Sequence, residues 1–131
     1  FVSRGYDSGT NKNELVIWEK AGIEPGGEWY LETGQGMGSS ITIANQQDAY
    51  ILSDRGTYIA FRDKIDLEIV SEGDELFYNL YGVIAVNPER HPQVNAEGAE
   101  AFIDYLVSEK AQKIIRDYKM DGERLFNPLK L

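Results

Sequence analysis

Apolar and polar positions alternate along this chain in short blocks whose period changes from block to block. Phe1-Val2 is a brief apolar run that stops at Ser3-Arg4, and a turn containing Gly5 follows. Ser8-Gly9-Thr10 then heads a segment in which Leu15, Trp18 and Ala21 recur at helical spacing, with Lys20 in the last turn and Gly22 where a helix C-terminus belongs. The pattern predicts a strand, a tight loop and a helix. Ile23-Glu24-Pro25-Gly26-Gly27 is a turn. Trp29-Tyr30-Leu31-Glu32-Thr33 reads as a second strand, and Gly34-Gln35-Gly36-Met37-Gly38-Ser39-Ser40 leads into a helix with Met37, Ile41 and Ala44 on one side. Ala49-Tyr50-Ile51-Leu52-Ser53 is a third strand, and Asp54 is a natural N-cap for a third helix.

The second half is read in the same way. Leu67-Glu68-Ile69-Val70 and Gly82-Val83-Ile84-Ala85-Val86 supply two more strands around the Ser71-Glu72-Gly73-Asp74 turn. Asn87-Pro88 ends the last of them, and residues 89–94 are loop. A long helical pattern capped by Asn95 then carries Ala99, Phe102, Ile103, Leu106, Val107, Ala111, Ile114, Ile115 and Tyr118 on one face. Ser108 can cap a restart, so a break is expected near Val107-Ser108. From Met120 the tail is expected to be irregular, held by Leu125, Phe126 and Leu129.

Strand and helix in alternation specify an α/β fold: a mostly parallel five-stranded sheet with helices on both faces, in a single lobe over 1–131. Ligands of such sheets bind outside the carboxyl ends of the strands, and three glycine-containing turns occupy that position here. In the first turn, glycine admits close backbone approach, Ser8, Gly9 and Thr10 offer donors at a helix N-terminus, and Arg4 adds a planar, always-charged fork. That is a seat for a tetrahedral oxyanion. The alternative is that Ser8 or Thr10 only caps the helix while Arg4 pairs with Asp7. Ser3, Gly36, Met37, Arg55 and Thr57 lie at the edges of the same crevice as second-tier candidates. The glycine run at 34–38 lacks the Lys-Ser/Thr ending of a nucleotide P-loop.

Composition narrows the chemistry. A net charge of −9 argues against nucleic acid and anionic membranes, which need a basic face, but a small anion feels local donors more than the global field. With no cysteine there is no disulfide or thiolate zinc site, and with His91 alone a transition-metal site is disfavoured. His91 sits in a solvated Glu-Arg-His-Pro-Gln loop, and no histidine is placed to activate Ser8, so the sequence points away from an enzyme and requires no cofactor. The chain begins at Phe1 without a Met or a targeting segment, which predicts a processed chain or an excised fragment.

Ser3-Arg4-Gly5-Tyr6-Asp7-Ser8-Gly9-Thr10 resembles the anion-binding loop of the periplasmic-binding-protein superfamily. The fuller set (Phe1-Val2-Ser3-Arg4, the run from Trp29 to Gly38, and Leu52-Ser53-Asp54-Arg55-Gly56-Thr57-Tyr58) resembles more specifically the tungstate-binding components of ABC uptake systems. Ala101-Phe102-Ile103-Asp104-Tyr105-Leu106 through Ile115 resembles the C-terminal helices common to these proteins. The resemblance implies a bilobed type II binding protein that clamps tungstate or molybdate between two lobes, with anion ligands at Arg4, Ser8, Gly9 and Thr10. This chain would be the second lobe and the C-terminal segment, whose helices stay on this lobe or dock on the absent first lobe. It further implies a membrane ABC permease as partner and a periplasmic or extracytoplasmic location, with a lipid anchor through an N-terminal part outside this sequence. Tyr6 departs from the family, which has Asp there to brace the arginine; Asp7 is expected to turn away from the anion, toward Arg4 or a backbone N–H. The rival readings are an effector-sensing domain of a transcription regulator and a binding protein for phosphate or sulfate.

Overall fold

The computed structural model describes residues 1–128 of the chain, in two compact units, one of Phe1–Asn79 and one beginning at Leu80. In the first unit, β1 (Val2–Ser3) is the central strand. It pairs in parallel with β2 (Leu31–Glu32), Val2 opposite Leu31, and on its other edge meets Ile51 in a single parallel bridge. The ladder runs through Leu31 N–H to Phe1 O (2.9 Å), Thr33 N–H to Ser3 O (3.0 Å) and Val2 N–H to Tyr50 O (2.8 Å). Of the three strands expected before residue 54, the first two form a parallel pair of two residues each, and the third is reduced to the single bridge at Ile51.

Between them run helices whose ends are set by local chemistry. Ser8 caps α1 (Gly9–Ala21) by accepting the Asn11 N–H. Gly22, in the left-handed conformation at φ 69°, closes it, its N–H going to Glu19 O and that of Ile23 to Trp18 O. α2 (Met37–Gln46) begins at Gly36, and α3 (Arg55–Phe61) is capped by Asp54. The core gathers Val2, Met37, Ile41, Ala44 and Ile59. Full burial of each larger side chain contributes about 1.5–3 kcal/mol. Gly38 lets α3 approach α2 closely, since a Cβ there would lie 2.7 Å from Phe61 Cζ.

The stripe that α1 buries differs from the expected Leu15, Trp18 and Ala21. Leu15 is exposed, and the buried positions are Asn11 and Glu14. Polar residues occupy an inward face because each finds hydrogen-bond partners there.

The second unit carries α4 (Ala96–Leu106, capped by Asn95) and α5 (Glu109–Asp117, capped by Ser108), with the break where Ser108 predicts it. The tail is a short antiparallel ribbon, β3 (Lys119–Met120) with β4 (Glu123–Arg124), where an irregular segment was expected. Phe126 packs edge-on against Tyr81; Leu129 lies outside the described residues.

Two expectations are not met as stated. Of the five predicted strands, 67–70 and 82–86 form no ladder among the described residues, because no neighbouring strand edge lies beside them. The predicted apolar face of α4 and α5 buries only Ala111, leaving Phe102, Val107, Ile114 and Tyr118 exposed. No helix among the described residues is long and apolar enough to cross a membrane.

Candidate functional site

The carboxyl end of β1 turns into Arg4-Gly5-Tyr6-Asp7 before α1 starts, and this turn is unusual backbone. Gly5, Tyr6 and Asp7 follow one another in the left-handed region, at φ 62°, 62° and 50°. Each non-glycine residue there costs roughly 1–2 kcal/mol, so the surroundings must hold the turn. They do so from two sides. The Gly5 N–H donates to Ser3 Oγ (3.1 Å), and Gly5 O accepts from Ser8 Oγ (3.1 Å). Gly5 is also needed for space, since a Cβ would stand 3.3 Å from Glu32 Cβ.

The turn leads to the start of α1, where several donors are left over. Ser8 covers the Asn11 N–H, but the Gly9 and Thr10 N–H groups and the Thr10 hydroxyl have no partner among the described residues. The first turn of α1 holds no acidic residue. About half a positive charge thus stands at that terminus unneutralised by its own helix.

Arg4 supplies the full charge. Its Nε donates to Gln35 O at 3.1 Å, and its terminal nitrogens have no partner among the described residues. This bond ties the first glycine turn to the second, as do Gly34 N–H and Thr33 Oγ1, both donating to Arg4 O at 3.1 and 3.3 Å. The second turn leads into α2, where Gly36 brings no capping side chain and the first turn is again free of acid. Met37 is buried in the core, and Gly36 is exposed.

Asp7 reaches neither of its expected partners. It is 85% exposed in its side chain and pairs with Lys12 at 3.4 Å, bracing neither Arg4 nor a backbone N–H, because the left-handed turn swings it out toward the first turns of α1. The bracing acceptor for Arg4 is the Gln35 carbonyl, which the sequence reading did not identify. Main-chain carbonyls are present at every residue, so nothing in the sequence distinguishes this one.

The remaining candidates lie elsewhere. Arg55 pairs with Glu72. Thr57 donates both its N–H (2.7 Å) and its hydroxyl (2.8 Å) to the Asp54 carboxylate, so the N-terminus of α3 already carries an anion of its own. Ser3 is fully buried; its hydroxyl donates to Glu14 Oε2 at 2.7 Å and accepts from Gly5 N and Asn11 Nδ2. Glu14 also escaped the sequence reading. The available signal was Asn11, Glu14 and Trp18 on one helical face at spacings of three and four.

Glu14 Oε1 accepts from Trp18 Nε1 (3.0 Å) and Tyr30 Oη (2.7 Å). Burial, with the neighbouring Glu14 carboxylate adding to it, pushes the Tyr30 hydroxyl up to about 12. Phe1, Trp18, Trp29 and Tyr30 pack as an aromatic cluster at the amino ends of the strands, away from the loop.

A family model described as a PBP superfamily domain matches residues 1–110. The chain is 45% identical to the tungstate-binding protein TupA of Peptoclostridium acidaminophilum, over 98% of this chain and 46% of that protein. It superposes on the crystal structure of the tungstate ABC transporter from Geobacter sulfurreducens with a TM-score of 0.81 at 49% identity, covering 90% of this chain and 50% of that one. It superposes equally, at 39% identity, on the tungstate-binding protein TupA of Desulfovibrio alaskensis G20, covering all of this chain and 55% of the other. The chain spans between 39% and 49% of the length of the curated relatives it matches.

Proposed function

This chain belongs to the family of PBP superfamily domains, and we propose from that premise that it is the anion-seating lobe and C-terminal part of the extracytoplasmic binding component of an ABC transporter, with tungstate or molybdate as its ligand. The observation that carries this reading is the bond from Arg4 Nε to Gln35 O. Arg4 Nε is held by a main-chain carbonyl, while the arginine's terminal nitrogens and the N–H groups of Gly9 and Thr10, at the acid-free start of α1, have no partner among the described residues.

Arg4, Ser8, Gly9 and Thr10 are the proposed anion contacts. Tungstate and molybdate are fully deprotonated dianions near neutral pH, so a site offering only donors suits them. Phosphate keeps a proton that calls for an acceptor, and a buried acceptor facing a full dianion costs about 1–3 kcal/mol. The outward course of Asp7 agrees with this selection. Sulfate is separated by its smaller size. The reading takes the ligand to be bound and released unchanged.

On this reading the first lobe, the hinge and the remaining donors lie in chain outside this sequence. The exposed apolar faces of α4 and α5 would dock on that first lobe. Lobe closure over the anion then presents the loaded protein to a membrane permease. The protein works outside the cytoplasm, held near the membrane by a lipid anchor at its N-terminal end.

Calorimetric titration of the full-length protein with tungstate, molybdate, sulfate and phosphate tests the reading. Tight binding of tungstate or molybdate, weakened about a hundredfold or more by Arg4→Ala, is expected. Tight phosphate or sulfate binding overturns the ligand; binding of none of the four returns the fold to an effector-sensing role.

A further inference from the structure

We propose that Glu14 is the positioning residue of the anion loop, acting through Ser3. This inference deepens the proposed function and rests on it for the identity of the ligand, though not for the geometry.

Glu14 is 3% exposed and has no cationic partner among the described residues; three neutral groups, Ser3 Oγ, Trp18 Nε1 and Tyr30 Oη, donate to it. A carboxyl group is costly to bury, and an aliphatic residue would fill the place without that cost. What the carboxylate provides is direction. Ser3 has one proton, and Glu14 Oε2 takes it at 2.7 Å. The serine oxygen is thereby turned so that its lone pairs meet the Gly5 N–H at 3.1 Å and Asn11 Nδ2 at 3.2 Å.

Gly5 is the first of the three left-handed residues, and it is buried, so its N–H has no water to fall back on. The relay therefore runs from Glu14 through Ser3 to the backbone that strains into the anion seat, and Asn11 ties the same oxygen to the first turn of α1. Glutamine at position 14 keeps the volume but replaces one acceptor oxygen by a donor, which opposes a donor already present. Ser3, on this view, supports the seat from behind and has no proton left for the anion.

The test reads Gly5 amide hydrogen exchange by NMR in the ligand-free, full-length protein, together with tungstate titration. Glu14→Gln is expected to speed Gly5 exchange at least tenfold relative to the amides of α2, and to weaken tungstate binding about ten- to a hundredfold, as loss of an outer-shell partner does at ligand sites. Ile59→Val, which loosens the core without touching the loop, should leave both readouts within about twofold of wild type once global opening is subtracted. Should Glu14→Gln fail to fold, Glu14→Asp, which draws the carboxylate back from Ser3 Oγ and leaves the Ser3–Gly5 pair intact, must show the same selective loss at Gly5. Wild-type protection of Gly5 in the folded variant overturns the proposal. A wild-type protein that binds none of the oxyanions overturns the proposed ligand instead, and Gly5 exchange alone then decides the role of Glu14.

Discussion

Arg4 sends one of its five N–H donors to the Gln35 carbonyl and keeps the remaining fork clear. Its place at the end of β1, four residues before the Ser-Gly-Thr start of α1, was legible from the spacing alone. Its brace was not, because the partner is main chain. The same division separates Ser8, whose capping role follows from its residue type, from Glu14, whose role follows only from where β1 and residues 27–30 bring Ser3 and Tyr30. Tyr30 carries a prediction of its own. Burial raises its hydroxyl from the ordinary tyrosine value to about 12 in the folded protein. The unfolded chain ionises first as pH rises past about 10, so the folded state alone retains the proton and stability falls between about pH 10 and 12. Below pH 10 both states hold the proton and the group adds no slope. Denaturant unfolding at pH 9 to 12 should show this decline, and Tyr30→Phe should flatten it. An unchanged slope in the variant would assign the decline to other groups.

At the scale of elements, helices were predicted well and strands poorly. Each helix end is written locally: Ser8 and Gly22 for α1, Asp54 for α3, Asn95 for α4, Ser108 for α5. A cap needs only a side chain and the next turn of backbone. A strand needs another strand, which its own residues do not specify. Packing between elements likewise depends on distance. Gly38 faces Phe61 at the α2–α3 contact. Alanine there gains up to about 1 kcal/mol in helix propensity but forces a methyl group into ring carbon, and overpacking costs typically 1–3 kcal/mol. Gly38→Ala is thus expected to destabilise the protein by about 1 kcal/mol, measurable as a lower denaturation midpoint. Combining it with Phe61→Leu should recover part of the loss. A Gly38→Ala variant as stable as wild type would mean that the ring moves aside freely.

Across the whole molecule, the two compact units differ in how far they satisfy themselves. The first closes a core around β1 and α2. The second leaves Ile84 90% exposed, together with Val86, Phe102 and Ile114, and its 82–86 segment makes no backbone ladder among the described residues. The relatives it matches are roughly twice as long as this chain. If the proposed docking on a first lobe holds, amides 83–86 of the full-length protein will be protected from hydrogen exchange, and the 131-residue chain alone will lose that protection and bind oxyanions far more weakly. Equal exchange in both would end the docking proposal. The sequence by itself determined the α/β alternation, the helix ends and the glycine turn before α1, because periodicity, capping and glycine conformations act within a few residues. Only the tertiary structure decided that Gln35 braces Arg4, that Asp7 leaves for Lys12, that Thr57 is held by Asp54 and that Glu14 stands behind the loop. Those outcomes turn on which donor meets which acceptor across distant segments, and that is fixed by the three-dimensional path of the backbone rather than by residue type.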